Sequence, residues 1–303
     1  MSGSWPLARR SQALAQRGAI FTRIRMFFQE KGYLEVETPF RIPAPAPEAQ
    51  IDAIPSDGWF LQTSPELCMK RLLAAGYPRI FQICRCWRAG ERGSRHLSEF
   101  TMLEWYRAEA DYRDLMDETE EMVRAAAGID SITYRGEKID LSLPWERVTV
   151  RDAFLRHTDT TAEAALAAGT FDEVMVEAIE PRLGIGRPTF IYDYPASCSA
   201  LARLNAEDPS VAERFELYLG GLEIANAFSE LIDPIEQRAR FVAEAAQRAS
   251  DGKQGYPMPE KFLAALADMP EAAGIALGLD RLVMVLLDAG SIDDVVAFTT
   301  EEL

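Results

Sequence analysis

The stretch FQICRCWRAGERGSRHLSEFTMLEWYRAEADY, residues 81–112, concentrates groups able to hold an anion, a ring and an ammonium. Arg88 closes one predicted strand, and its planar guanidinium suits phosphate or carboxylate oxygens held two at a time. Glu99 to Tyr106 reads as the next strand, where two-residue alternation puts Phe100, Met102, Glu104 and Tyr106 on one face. A carboxylate and a phenol beside a flat aromatic could bind an ammonium group, whereas an ordinary core face would not bury Glu104 without a partner. The loop between, Ala89 to Arg95, carries two glycines and three more charges and could close over a nucleotide. Taken alone, a solvated hairpin explains the same residues about as well.

A second constellation lies in RFELYLGGLEIANAFSELIDP. If Gly220 and Gly221 form a two-residue turn, Tyr218 lies opposite Glu223, and Glu216 shares that face two residues away. Like charges so placed repel unless a cation or an arginine lies between them. Mg²⁺ carrying phosphate oxygens answers that need, and an ion-paired ladder with Arg214 is the structural alternative. Asn226, Phe228 and Glu230 also alternate, but on the face opposite Glu223. Gathering all four in one pocket needs a bulge near Ile224 to Asn226. A third motif, GIALGLDRL (274–282), joins a glycine-punctuated strand to an apolar helix with Arg281 at the junction.

The elements that position these groups are legible. A helix around residues 8–31 ends at Gly32 and leads into the strand YLEVETP. RIPAPAPEAQ reads as an ordered loop or cover. Ser64, Pro65 and Glu66 open a helix as N-cap, first-turn proline and acid favoured by the helix dipole, and Gly76 closes it. Residues 107–185, rich in Ala and Glu, read as an inserted helical region with solvated polar faces.

The composition limits the function classes. The 303 residues are 48% hydrophobic and 26% charged, which suits one large globular domain spanning 1–303. The formal charge of −16 disfavours a broad footprint for a polyanion, leaving room for a local basic cleft around Arg85, Arg88, Arg92 and Arg95. No apolar run is long enough for a bilayer and the N-terminus lacks a secretion signal, so no membrane association and a cytoplasmic location are expected. Cys68, Cys84, Cys86 and Cys198 have no zinc-ligand spacing and read as free thiols. There is no P-loop, and Gly184-Ile185-Gly186 does not continue into a dinucleotide fingerprint.

Arg88, His96, Phe100 and Glu104 match the second signature motif of class II aminoacyl-tRNA synthetases, and Asp280-Arg281 ends their third. SPELCMKRLLAAG, EFTMLEWY and RFELYLGGLEIANAFSELIDP narrow the resemblance to the lysyl-tRNA synthetase branch, over almost the whole chain. The resemblance implies an α/β (α+β) catalytic core, an antiparallel sheet flanked by helices, in a homodimer. The anticodon-binding domain of lysyl-tRNA synthetases is missing, which is similar to the elongation factor P lysine ligases, paralogues acting on a protein lysine.

The site implied by the resemblance uses ATP and Mg²⁺. Arg88 and Arg281 are its catalytic residues. ATP falls to Arg88, His96, Phe100, Glu223, Ile224, Gly278 and Arg281, with Phe100 stacked on adenine, and metal to Glu216 and Glu223. The amino acid falls to Ser64, Pro65, Glu66, Glu104, Tyr106, Asn226, Phe228, Glu230 and Ala276, with Glu230 and Tyr106 selecting a lysine-like amine. The implied partners are lysine or β-lysine and elongation factor P, with no tRNA. A minimal lysyl-tRNA synthetase and a non-catalytic amino-acid-binding paralogue are the alternatives. Two departures stand out. Gly90 replaces the glutamate of the usual Arg-x-Glu, with Glu91 next to it, and Leu97 replaces the asparagine after the histidine. Ala276 stands where lysyl-tRNA synthetases usually have glycine, which favours β-lysine.

Overall fold

The computed structural model describes residues 6–303. Its centre is an eight-stranded sheet made of β1 (Leu34–Glu35), β2 (Arg79–Trp87), β3 (Glu99–Ala108), β4 (Glu146–Thr149), β5 (Thr189–Pro195), β6 (Val211–Leu219), β7 (Leu222–Ser229) and β8 (Ala272–Gly278). The strand order is β1-β2-β3-β8-β7-β6-β5-β4. Only the two short edge strands pair in parallel. The rest is the antiparallel sheet flanked by helices that the motifs imply.

Helix α1 (Ser11–Glu30) buries Ile20, Ile24, Phe27 and Phe28, a stripe at helical spacing. Phe28 stacks on Phe81 of β2 with ring centroids 4.7 Å apart and meets Trp105 of β3 at 5.1 Å. Each such buried aromatic stabilises the fold by about 2–3 kcal/mol through area burial. Left-handed Gly32 (φ +76°) stops the helix, and Tyr33 N–H returns to Phe28 O. Of the expected strand YLEVETP, only Leu34 and Glu35 join the sheet as β1, with Val36 N–H adding one bond to Phe81 O.

The stretch 107–185 is more than a helical insertion. Helix α2 (Glu66–Ala74) precedes it, and its own first helix, α3 (Tyr112–Ala127), is a core element. An Asp111–Asp114 capping box starts α3 and left-handed Gly128 ends it. It drives Tyr112, Leu115, Met116, Met122 and Val123 into the core shared with Phe28 and Trp105. A hairpin follows (Ser131–Tyr134 with Glu137–Asp140), and β4 then extends the main sheet.

The proline tract is anchored as a cover. Arg248, near the end of α4 (Pro234–Ser250) and fully buried, donates to Glu48 O and Ile51 O at 2.8 Å each. Lys253 Nζ donates to Ala49 O at 2.7 Å. These bonds hold residues 48–52 against the sheet face that α1 and α3 leave free.

Candidate active site

Register explains why distant residues meet. On the free face, Glu104, Ala276, Asn226 and Glu216 are successive partners across β3, β8, β7 and β6. Tyr106, Gly274, Phe228 and Arg214 form the next row. Neighbouring strands lie about 4.8 Å apart, so each row spans a small-molecule site. Gly220 and Gly221, both left-handed, make the two-residue turn, and Tyr218 pairs with Glu223. The register then shifts, with Leu217 opposite Ala225, which leaves Ile224 as the bulge the sequence requires. The bulge brings Glu223 into phase with Asn226 and Phe228.

One cavity runs along these rows. Arg88, His96, Phe100, Glu223, Ile224, Gly278 and Arg281 line its outer part. Ser64, Glu66, Asn226, Phe228 and Ala276 line its inner part, under Glu48 and Ile51 of the cover. Of the remaining expected residues, Pro65, Glu104, Tyr106, Glu216 and Glu230 stand behind the wall.

Arg88 lies 5.2 Å from the Phe100 ring centroid. Its Nε is buried and finds no hydrogen-bond partner among the described residues, and Glu91 approaches its Nη1 only to 3.9 Å. A part-buried guanidinium so loosely paired has donors to offer an anion. Arg281 Nη1 donates to Glu223 O at 3.0 Å and to Glu223 Oε2 at 3.2 Å, and its Nη2 meets His96 Nε2. Arginine can only donate, so His96 accepts at Nε2; burial and then the Arg281 charge lower its pKa and keep the ring neutral.

The expected basic cleft is smaller than the sequence suggests. Arg92 turns away to Asp293 and Glu301, and Arg85 is exposed beside Glu99. Only Arg88 and Arg95 of the four line the cavity. Gly90, left-handed at φ +77°, turns the loop so that Glu91 reaches the wall, while Leu97 is buried in the main core.

Among the described residues, no three His, Cys, Asp or Glu side chains cluster to hold a metal. Glu223 fits one end of a metal–phosphate contact, since its side chain is 38% exposed in the cavity and ion-paired to Arg281 at 3.2 Å. Glu216 is committed on both oxygens, to Arg214 Nη2 at 2.6 Å and Tyr218 Oη at 2.8 Å. The arginine-paired ladder is therefore present, and Glu216 reaches a metal only by giving up Arg214.

The amine end also needs correction. Ser64 Oγ and Tyr106 Oη donate to Glu104 at 2.6 and 2.8 Å, and burial, then Glu66, push the Glu104 carboxyl up to about 8. Glu230, 2% exposed, pairs through Oε2 with Lys70 Nζ at 2.5 Å, not with Tyr106. The same Nζ bonds Glu66. Sequence reasoning missed Lys70. Its signal was a lysine on the α2 stripe of Leu67 and Leu73, four residues after Glu66. It also missed Glu48, partly buried and pushed up to about 7 by burial and then by Glu66, for which the chain offers no signal. The helix starts at Glu66 with Pro65 as its N-cap, so Ser64 lies one residue earlier than expected, although its Oγ still accepts the Glu66 N–H at 3.0 Å.

Comparisons agree with this geometry. The profile of class II tRNA synthetases (D, K and N) matches residues 7–302. An elongation factor P–(R)-β-lysine ligase of Enterobacter sp. (strain 638) is 37% identical over 99% of this chain and 98% of its own. One from Pectobacterium atrosepticum is 38% identical over 98% of each. A lysine–tRNA ligase of Moorella thermoacetica is 40% identical over 95% of this chain, which spans 65% of that enzyme's length. The chain belongs to the class II aminoacyl-tRNA synthetase family, in the group that includes the aspartate, lysine and asparagine enzymes.

Proposed function

We propose that this protein is an AMP-forming ligase that activates (R)-β-lysine, or lysine, with ATP and passes it to a lysine side chain of elongation factor P. One observation carries the reading. A single cavity has a loosely paired, part-buried guanidinium over an aromatic ring at one end and a set of buried acids at the other. That polarity suits a nucleotide triphosphate meeting an amino acid with two ammonium groups.

In the first step a carboxylate oxygen of the amino acid attacks the α-phosphorus of ATP, the bond to pyrophosphate breaks, and an acyl adenylate forms. Arg88 donates to the reacting oxygens, where charge grows most. Arg281, held by Glu223 and the neutral His96, fixes the outgoing phosphates. Phe100 offers its face to adenine. Glu223, with Glu216 if it releases Arg214, would hold Mg²⁺, which would supply charge to offset the phosphates. Glu66, Glu104 and Glu230 draw the side-chain ammonium to the inner end, and Asn226 orients the carboxylate. In the second step the acceptor amine attacks the acyl carbon, AMP leaves, and the amine loses a proton.

Ala276 at the inner wall and the charge of −16 favour a protein acceptor and β-lysine. The identity to a lysine–tRNA ligase supports a second reading, tRNA charging. A second copy of this chain against α1 and β1, where Met26 and Leu34 are half exposed, is the proposed dimer. Among the described residues no helix is long and apolar enough to cross a membrane.

Pyrophosphate exchange stimulated by β-lysine, followed by labelled transfer to elongation factor P and not to tRNA, is the expected result. Label appearing on tRNA alone would replace this reading with the second one. Absence of exchange with either isomer would reject both.

A further inference from the structure

We propose that Lys70 is a positioning residue for amino-acid recognition: a resident ammonium that holds Glu66, which reaches the cavity, and Glu230, just behind the wall, as a charged pair at the end that takes the substrate amine. The inference rests on the reading of the inner cavity as the amino-acid site.

The geometry is specific. Lys70 lies on α2 with its side chain 1% exposed, and its Nζ touches an acid of its own helix and an acid just beyond β7. Glu66 reaches the cavity, with its side chain 14% exposed, whereas Glu230 is sealed at 1%. Both Glu230 oxygens are buried without a hydrogen-bond partner among the described residues, and the ion pair of Oε2 with Lys70 Nζ at 2.5 Å is the contact that holds them. Oε1 lies beside Gly274, in the row that carries Phe228 into the cavity.

Charge decides what Lys70 contributes. Glu66, Glu104 and Glu230 crowd this end, with Glu48 in the cover above, and the cations on them are Lys70 and, more distantly, Arg88. Two carboxylates sharing a dry site do not both ionise unless a cation lies between them. Burial pushes Glu230 up to about 8, and Lys70 is the first influence opposing that rise. Reciprocally, Glu230 and then Glu66 raise the Lys70 pKa, so the ammonium keeps its proton despite burial. Without Lys70, Glu230 takes a proton and loses its charge for the incoming ammonium. An ordinary buried helix position would be filled by leucine or methionine, which supply packing and no charge.

The test is steady-state pyrophosphate exchange with β-lysine or lysine across pH, with thermal melting as a fold check. Lys70→Met is expected to raise the KM for the amino acid about tenfold or more, leave the KM for ATP within about twofold, and move the fall of the amino-acid KM to higher pH. Lys70→Arg, which keeps the charge, is expected to restore the parental pH profile. If Lys70→Met does not fold, Lys70→Gln carries the same expectations. A neutral variant with the parent's amino-acid KM and pH profile overturns the proposal. So does a Lys70→Arg profile displaced as far as that of the neutral variant, because charge would then not be the operative property. A parent enzyme lacking exchange with either amino acid removes the proposed function itself, a separate failure.

Discussion

Arg17 Nη2 lies 2.6 Å from Asp280 Oδ1, with the two side chains 12% and 2% exposed, tying α1 to α5 (Leu279–Leu286) one residue before Arg281. Asp280 Oδ2 also accepts the Thr101 N–H at 2.7 Å, next to Phe100. One carboxylate therefore sets the spacing between the Phe100 ring and the Arg281 guanidinium, the groups proposed for adenine and phosphate. Asp280→Asn keeps the shape and the Thr101 bond but strips the charge from a buried pair, costing about 2–3 kcal/mol. The expected outcome is a lower melting temperature and a KM for ATP raised more than that for the amino acid. Equal shifts in both KM values would mean Asp280 acts only on global stability.

Arg88, proposed to meet the reacting oxygens, has an unpartnered buried Nε and only Glu91, at 3.9 Å, near its Nη1. Arg88→Lys keeps the charge but loses the planar fork and its seat over Phe100. We expect kcat for pyrophosphate exchange to fall about 10²-fold or more, with a small change in the KM for ATP. A change confined to KM would assign Arg88 to ground-state binding.

Gly274 is the tightest glycine on the site face. An added Cβ would meet the Tyr106 ring at 2.2 Å and Glu230 Oε1 at 2.4 Å. Both neighbours are buried and engaged, so neither gives way cheaply. Gly274→Ala should raise the amino-acid KM at least about tenfold, through displacement of Glu230, while ATP binding at the outer end persists. Isothermal titration with ATP and with lysine separately would check the split.

Glu104 titrates where the enzyme works. With its carboxyl pushed from 4.5 to about 8, the empty fold holds a proton that the unfolded chain has already shed across that window. Stability of the empty enzyme therefore falls as pH rises through the window, by up to about 1.4 kcal/mol per pH unit for each such proton. An ammonium placed beside Glu104 reverses the preference and expels the proton. The amino-acid KM should fall from about pH 6 to about pH 8, with net proton release visible as a buffer-dependent binding enthalpy. Glu104→Gln should reduce both, leaving the part that follows Glu230; a profile unchanged by that substitution would assign the whole titration to Glu230.

The sequence could reveal what strict periodicity controls. The Gly220-Gly221 turn fixes the register of β6 against β7, so the bulge at Ile224 followed from the need to bring Glu223 and Asn226 together. The rows across β3, β8, β7 and β6 were within reach of alternation plus pairing. Edge pairing was not, because β1 and β4 are short parallel strands whose partners lie far along the chain. Charge pairing was harder still. Alternation offered Arg214 as a partner for Glu216 without deciding between it and a metal, and nothing local says that Arg92 leaves the cleft for Asp293 and Glu301 or that Lys70 claims Glu230, since those partners are chosen by tertiary packing.

Ala276 tests isomer choice with a single methyl. It pairs with Glu104 on one side and Asn226 on the other, and its half-buried side chain faces the cavity between the acid end and the carboxylate end. The amine of β-lysine sits one carbon farther from the carboxylate than that of α-lysine, so the two isomers place this ammonium differently against the same wall. Removing the methyl opens room close to the carboxylate, where the α-amine branches. Ala276→Gly is expected to raise kcat/KM for α-lysine relative to β-lysine by about tenfold, the scale of one methyl group in a fitted pocket. Pyrophosphate exchange with both isomers measures the ratio. A ratio that does not move would place the discrimination elsewhere in the inner lining, at Glu48, Ser64 or Glu66.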